Sequence, residues 1–323
     1  MNVLVIGGAG YIGSHVVREL IDHEINVTVF DNLSSGLPGN IPNDTEFFKG
    51  DILSDSDLKN VMERGYDCIF HFAAFKAAGE SMLSPQKYST NNISGTINIL
   101  NAASKYGIDK FIFSSSAAVY GEPSYLPIDE SHPTIPLNYY GFTKLEIERI
   151  LQWYNRICNI KFAALRYFNA AGYDVKKRVT GLEKNPQNLI PCVMEAAVGI
   201  RPYLNIFGND YSTKDGTGIR DYIHVNDLAN AHVKAFYYLL ENGKSCVINL
   251  GSENGISVQN VIDTASTVTG RKIPIQVVSR RPGDSECLYA SSQLAYSLLH
   301  WKPEYSDLET IIETTWNIYK NLS

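Results

Sequence analysis

No stretch restricts the fold of this chain as tightly as its first. Val3-Leu4-Val5-Ile6 runs directly into Gly7-Gly8-Ala9-Gly10-Tyr11-Ile12-Gly13. The apolar run reads as a buried strand, and Ser14 to Ile21 reads as a helix with Val16, Val17, Leu20 and Ile21 on its inner side. Glycines at this spacing, between a strand and a helix, form the turn on which a dinucleotide pyrophosphate rests. Gly7 permits the tight turn, Gly10 lets backbone N–H groups approach the phosphates, and Gly13 lets the helix pack closely. The helix N-terminus adds partial positive charge. Ordinary strand–helix turns share the spacing, so the glycines need a second signal.

Asn26-Val27-Thr28-Val29-Phe30-Asp31 provides it: a strand ending in an acid. That acid lies roughly 20 residues beyond the glycines, where a carboxylate binds a ribose diol. Asp31 would repel a 2′-phosphate, and no arginine follows in Asn32-Leu33-Ser34-Ser35-Gly36, so NAD is expected rather than NADP.

Strands and helices then alternate. Strands are expected at 45–51, 67–73, 110–116 and 161–168, with helices at 56–62 (capped by Ser54 or Ser56), 88–106 and 139–157. Such alternation implies right-handed crossovers and a Rossmann-like, doubly wound parallel sheet, with ligands at the carboxyl ends of the strands. Residues 169–222 are rich in Asn, Gly, Pro and Asp and read as loops and short elements with one helix at 189–198. Further helices are expected at 225–240, 257–268 and 308–319, and strands at 246–251 and 273–278. The expected division is a cofactor domain over 1–168, to which 225–251 returns, and a smaller α/β substrate domain over 169–323.

The bulk numbers narrow the partners. A net charge of −6 disfavours nucleic acid and anionic membrane. Cys68, Cys158, Cys192, Cys246 and Cys287 form no Cys-x-x-Cys pair, which suggests reduced, buried thiols in a cytoplasmic protein. The histidines form no ligand-like cluster, so no metal is expected. The first residues already read as core strand, and no apolar run is long enough to span a bilayer, so neither a secretory leader nor a membrane span is expected.

Tyr140-Gly141-Phe142-Thr143-Lys144 sets a tyrosine and a lysine on one helical face. A nearby ammonium eases ionisation of a phenol from its usual value of about 10, which would make Tyr140 a base near neutral pH. Tyr106/Lys110 and Tyr173/Lys177 share the spacing, but only Tyr140 starts a helix after a long excursion from the 110–116 strand. That strand ends in Ser114-Ser115-Ser116. Ser116 is placed to hydrogen-bond a reacting hydroxyl, while Ser114 and Ser115 are expected to satisfy turn amides.

Taken together, the glycine turn, Asp31-Asn32, Gly50-Asp51-Ile52, His71-Phe72-Ala73, Lys76, Ser114-Ser115-Ser116, Tyr140-x-x-x-Lys144 and Arg166-Tyr167-Phe168-Asn169 resemble the extended short-chain dehydrogenase/reductase family. Ile206 to Tyr211 and Asp215 to Val225 are similar to its nucleotide-sugar epimerase branch. The likeness covers nearly the whole chain. It implies that UDP-glucose and UDP-galactose are interconverted through a 4-keto sugar with bound NAD. By resemblance, Gly7, Gly10, Tyr11, Ile12, Gly13, Asp31, Asn32, Asp51, Ile52, Phe72, Ala73, Lys76, Asn91, Ser116, Tyr140, Lys144 and Phe168 would hold NAD. Ser116 and Tyr140 would be the catalytic pair, with Lys144 beside them. Asn169, Asn188, Leu189, Asn205, Ile206, Phe207, Arg220, Tyr222 and Arg281 would hold the UDP-sugar. Guanidinium forks suit a diphosphate, and Phe207 or Tyr222 could pack on the base or ribose. The resemblance aligns Leu288 with a gate beside the sugar 2-substituent, which implies some activity on UDP-N-acetylglucosamine. Asn205 departs from the small apolar residue usual at its place. A homodimer through helices near 89–106 and 140–158 is implied as well. Rival readings are a related nucleotide-sugar dehydratase, a UDP-glucuronate epimerase, or a non-catalytic NAD-binding sensor. Ser116-Ala117-Ala118 lacks the acids a 4,6-dehydratase needs, and a sensor has no use for the Tyr140/Lys144 pair.

Overall fold

Short runs of β-branched and aromatic residues, each followed by an amphipathic segment, cannot pair with their neighbours as hairpins. Each strand must cross over a helix to lie parallel to the next. The computed structural model describes residues 1–281 and 285–322. Its first half runs β1 (Asn2–Ile6), α1 (Tyr11–Asp22), β2 (Asn26–Asp31), β3 (Glu46–Lys49), α2 (Asp55–Met62), β4 (Cys68–His71), α3 (Ala78–Leu83), α4 (Pro85–Tyr88), α5 (Gly95–Lys105), β5 (Lys110–Ser114), α6 (Tyr139–Cys158) and β6 (Lys161–Tyr167). The second half runs β7 (Asn169–Ala171), α7 (Leu189–Ala197), β8 (Leu204–Phe207), β9 (Ile219–His224), α8 (Val225–Asn242), β10 (Cys246–Leu250), β11 (Gly255–Ser257), α9 (Val258–Thr269), β12 (Ile275–Val278), β13 (Cys287–Leu288), α10 (Gln293–Leu299) and α11 (Leu308–Tyr319).

A parallel sheet has the order β10-β6-β5-β4-β1-β2-β3. From β1 the chain moves to β2 and β3 on one side; from β4 onward it builds on the other. That reversal opens a crevice beyond the carboxyl end of β1, where the glycine turn lies. Alternation within β1 serves two cores. Val3 and Val5 face α1 and α8 with Val16, Leu20, Phe70 and Phe236, whereas Leu4 and Ile6 face α2, α5 and α6 with Ile99, Phe111 and Leu151. Each such aliphatic side chain, fully buried, contributes about 1.5–3 kcal/mol.

Several boundaries differ from the sequence expectation. The helix expected at 88–106 starts at Pro85 and widens into a π-turn over Ser89–Ser94 before α5. The cause is Asn92, which turns inward: its Oδ1 accepts from Phe75 N at 2.9 Å and its Nδ2 donates to Phe75 O at 3.0 Å. The 169–222 stretch holds three short strands besides α7. Strand β9 pairs with β7, β11 and β13, and β8 pairs with β12. These strands are too short and too polar for a period-2 pattern to stand out. Strand β10 hydrogen-bonds to β6 (Cys246↔Ala163 through Leu250↔Tyr167). Helix α10 and Trp301, for which the sequence offered no expectation, pack into the same core as α8. All five cysteines are free thiols. Cys68 and Cys192 are buried, but Cys158 is exposed, contrary to expectation, because it sits on the outer side of the last turn of α6. No helix among the described residues is long and apolar enough to cross a membrane.

Candidate active site

The glycine turn is crowded by backbone. Gly7 has φ +84°, and a Cβ there would lie 2.6 Å from Ala73 N. A Cβ on Gly13 would overlap the Gly7 carbonyl oxygen. Gly13 therefore lets α1 close onto the turn itself rather than onto the sheet. Gly10 is the N-cap of α1 and offers no side-chain cap, and no acid stands in the first turn of Tyr11, Ile12 and Gly13. By contrast α2, α6, α9 and α11 are capped by Ser54, Asn138, Ser257 and Asp307. An uncapped helix start at a glycine turn fits an external anion.

Asp31 ends β2 against this turn. Its Oδ2 accepts from Ala9 N at 3.0 Å and its Oδ1 from Leu33 N at 2.8 Å, and burial pushes its pKa up. Lone pairs remain for a diol. Asn32 Nδ2 donates to Asp51 Oδ2 at 3.0 Å, and Ile52 is buried under Gly95 of α5. Phe72 N donates to Ile6 O at 2.8 Å, which brings Phe72 and Ala73 beside Gly7. Lys76 makes a 2.8 Å ion pair with Glu183. Asn91, in the π-turn, donates to Asn92 Oδ1 at 3.0 Å. These donor and acceptor types fit a pyrophosphate with two riboses.

Across the crevice, Asn138 accepts from Gly141 N at 2.9 Å and starts α6 so that Tyr140 lies in its first turn. Tyr140 N donates to Ser81 Oγ at 3.0 Å. One turn on, Lys144 Nζ donates to Ser114 O at 2.6 Å at the end of β5 and lies 5.8 Å from the Tyr140 ring centre. Tyr106 follows α5 and leads into the amino end of β5, the opposite end from Ser114, and Tyr173 packs against Tyr11.

Electrostatics here differ from the sequence expectation. Burial pushes the Tyr140 phenol up to about 12, although a hydrogen bond with Ser116 pulls it down. Burial also lowers Lys144 to about 7, while Glu148 raises it. Both shifts disfavour the charged forms, so burial opposes the ionisation that the lysine's nearness alone would favour. The serines also differ from expectation: Ser114 and Ser115 bind side chains rather than turn amides, and Ser116 takes a turn amide besides its hydrogen bond with Tyr140. Ser116 Oγ accepts a turn amide, Ala118 N, at 3.1 Å. Ser115 Oγ donates to Glu148 Oε1 at 2.6 Å, and Ser114 pairs with the Tyr167 hydroxyl. Behind them, Arg166 grips Glu148 through Nε (2.9 Å) and Nη2 (2.6 Å) and reaches Tyr120 OH at 2.9 Å. Glu148 and Tyr167 were not singled out from sequence. Glu148 stands four residues after Lys144, so the spacing that paired Tyr140 with Lys144 would have found it.

A cavity of about 250 Å³ is lined by Asn169, Asn188, Leu189, Asn205, Ile206, Phe207, Arg220, Tyr222 and Arg281 among others. Asn188 and Leu189 start α7, which has no side-chain cap. Asn169 Nδ2 donates to Asp221 O at 2.9 Å, and Asn169 pairs with Tyr222 across β7 and β9. The Arg281 guanidinium lies 3.7 Å from the centre of the Phe207 ring. A second cavity of about 220 Å³ is lined by Ser116, Tyr167, Phe168 and Leu288, and it shares Asn169 and Arg220 with the first. Leu288 stands opposite Arg220 in the β13–β9 pairing. Of the 281–289 segment that carries Arg281 and Leu288, residues 282–284 lie outside the described residues.

A switch-point glycine turn, an acid at the end of the second strand, a tyrosine–lysine pair one helical turn apart and a polar cavity near Ser116 define the class of pyridine-nucleotide enzymes built on a doubly wound sheet. The chain belongs to the NAD dependent epimerase/dehydratase family, whose profile matches residues 3–251. It is 46% identical over 322 residues to the UDP-glucose 4-epimerase of Halalkalibacterium halodurans, covering 99% of this chain and 96% of that protein. Among solved structures it resembles the UDP-glucose 4-epimerase of Brucella ovis in complex with NAD, with TM-score 0.96, 42% identity and 98% of each chain covered. The epimerase of Bifidobacterium longum in complex with NAD⁺ and UDP matches with TM-score 0.93, 36% identity and 99% and 98% coverage.

Proposed function

We propose that the chain interconverts UDP-glucose and UDP-galactose, using tightly held NAD for a reversible oxidation at sugar carbon 4. The observation that carries this reading is the junction of two cavities at Asn169 and Arg220: one reaches Ser116, the other holds the arginines and Phe207. A UDP-hexose is bipartite in the same way, with an anionic nucleotide end and a neutral reacting end.

NAD, held by the residues around the glycine turn, would supply a reversible hydride acceptor. Tyr140 takes the proton of the 4-hydroxyl and returns it after the sugar has turned. Ser116 hydrogen-bonds that hydroxyl and the phenol and so keeps the two in line. Arg220 and Arg281 retain the diphosphate, so the 4-keto sugar can present its other face without leaving. Lys144, anchored on Ser114 O, offers donors to a ribose hydroxyl. Asp31 accepts the adenosine diol. Leu288 is smaller than a tyrosine at the mouth beside Ser116, and we assign it tolerance of an N-acetyl group at carbon 2.

The division into a cofactor unit (1–168 with 225–251) and a substrate unit is part of the same proposal, as is cytoplasmic location. Phe142, Trp153 and Ile157 expose 39%, 59% and 75% of their surface on one stripe of α6, which supports pairing of two copies through this helix and the 89–106 segment.

The test supplies UDP-galactose to the purified protein with no reductant. UDP-glucose should accumulate, and Tyr140→Phe should slow its formation at least ~1000-fold with NAD still bound. Absence of product from the parent protein, or an undiminished Tyr140→Phe variant, overturns the reading.

A further inference from the structure

Glu148 is buried in α6, one turn beyond Lys144. Three donors meet its two oxygens. Ser115 Oγ reaches Oε1 at 2.6 Å, Arg166 Nε reaches Oε1 at 2.9 Å and Arg166 Nη2 reaches Oε2 at 2.6 Å. Buried ion pairs are often no more stabilising than apolar side chains of the same volume, so stability does not by itself account for this one. What apolar packing lacks is direction. Ile147 and Leu151 hold α6 against the sheet by contacts that are individually weak and non-directional. A guanidinium fork on a carboxylate, with a short hydroxyl–carboxylate bond beside it, fixes both distance and angle. The place so fixed lies between the two residues that meet the reacting groups. On one side of Ser115 the Ser114 carbonyl accepts from Lys144 Nζ at 2.6 Å; on the other, Ser116 hydrogen-bonds Tyr140. Ser115 N donates to Leu165 O at 2.9 Å, which sets this turn relative to β6. Glu148 sets it relative to α6, the helix that carries both Tyr140 and Lys144.

We infer that Glu148 is a positioning residue for the epimerase chemistry: through Ser115 it ties the end of β5 to α6, so that Ser116 and the Ser114 carbonyl meet Tyr140 and Lys144 in line. This rests on the proposed function and deepens it with a residue that lines neither cavity. Arg166 is the brace. It holds both carboxylate oxygens and continues to Tyr120 OH at 2.9 Å, and Tyr120 in turn donates to Asn249 Oδ1 at 2.6 Å on β10. Side chains from β6 and β10 thus orient one carboxylate, and the Ser115 hydroxyl has a fixed acceptor. Misplacing a reacting group by about 1 Å can cost about 100-fold in rate. Retention of the nucleotide depends on other side chains, at the far cavity. Loss of the Glu148–Ser115 link should therefore slow the chemical step and spare binding.

The experiment measures kcat and KM for UDP-galactose, and UDP affinity by calorimetry, for the NAD-loaded parent, Ser115→Ala, Glu148→Gln and the double variant. Ser115→Ala cuts the link and leaves the Arg166–Glu148 pair whole, so it should fold. It should lower kcat about tenfold or more, with KM and UDP affinity within about twofold of the parent. Glu148→Gln should lower kcat at least as far. The double variant should be no slower than Glu148→Gln, because both changes break one connection. A Ser115→Ala kcat within about twofold of the parent overturns the inference and leaves the epimerase reading intact. So do losses that multiply in the double variant, or a fall in UDP affinity that matches the fall in kcat, which would mark a general loosening of the fold. Should Glu148→Gln fail to fold, Ser115→Ala decides by the same criteria. A parent that does not convert UDP-galactose overturns both.

Discussion

Replacing Lys144 with methionine separates the electrostatic cost of this site from its function. Lys144 is buried, and burial lowers its pKa from 10.5 to about 7. In the unfolded chain the amine binds a proton throughout the range between those values; in the folded chain it does so only below about 7. The unfolded state therefore binds more protons across this window, and stability must rise with pH there. With each pKa unit worth 1.36 kcal/mol, Lys144 makes the ligand-free protein about 3 kcal/mol more stable at pH 9.5 than at pH 7. Lys144→Met has a similar length and no charge, so that slope vanishes. The hydrogen bond to Ser114 O is lost as well, which shifts the whole comparison by about 1 kcal/mol without adding a slope. Urea unfolding of parent and variant at intervals from pH 7 to 9.5 gives the difference directly, and every other titrating group cancels in it. The advantage of the variant should be largest at pH 7 and shrink by about 3 kcal/mol by pH 9.5. A difference that stays flat across the series would refute the claim that the folded chain holds this amine largely uncharged above pH 7.

Three further outcomes follow from the geometry. Gly13→Ala should fold but purify without NAD, by absorbance and mass of the released nucleotide, because its Cβ would displace the Gly7 carbonyl. Arg166→Met should cost about 3–5 kcal/mol in urea unfolding, since it strands the buried Glu148 without its bidentate partner; a loss under 1 kcal/mol would mean that solvent reaches the carboxylate. The parent protein should turn over UDP-N-acetylglucosamine measurably beside UDP-glucose. Leu288→Tyr should suppress the former at least tenfold more than the latter, read by chromatography of the products.

Much of this site was legible because the relevant geometry is local. A φ of +84° at Gly7, an α1 start without a side-chain cap and a four-residue step from Tyr140 to Lys144 each follow from backbone rules acting over a few residues. The alternation of strand and helix likewise announced the parallel sheet. The small strands β7, β8, β9, β11 and β13 did not announce themselves, because two to six residues with mixed burial carry no usable period. The turn-amide role expected of Ser114 and Ser115 was wrong for a related reason. Identical residues in a row differ only in what lies opposite: Tyr167, Glu148 and the Ala118 amide.

What the sequence determined alone, then, is the set of parts: a phosphate-type turn, an acid after the second strand, a phenol and an amine one helical turn apart. Only the tertiary structure decided their charge and company. The phenol is pushed up and the amine down because distant segments pack around both. Asn169 and Arg220 join two cavities because β7 and β9, whose paired residues are 53 apart in the chain, lie side by side. Desolvation and long-range strand pairing depend on what packs around a residue, and no window of neighbouring letters contains that information.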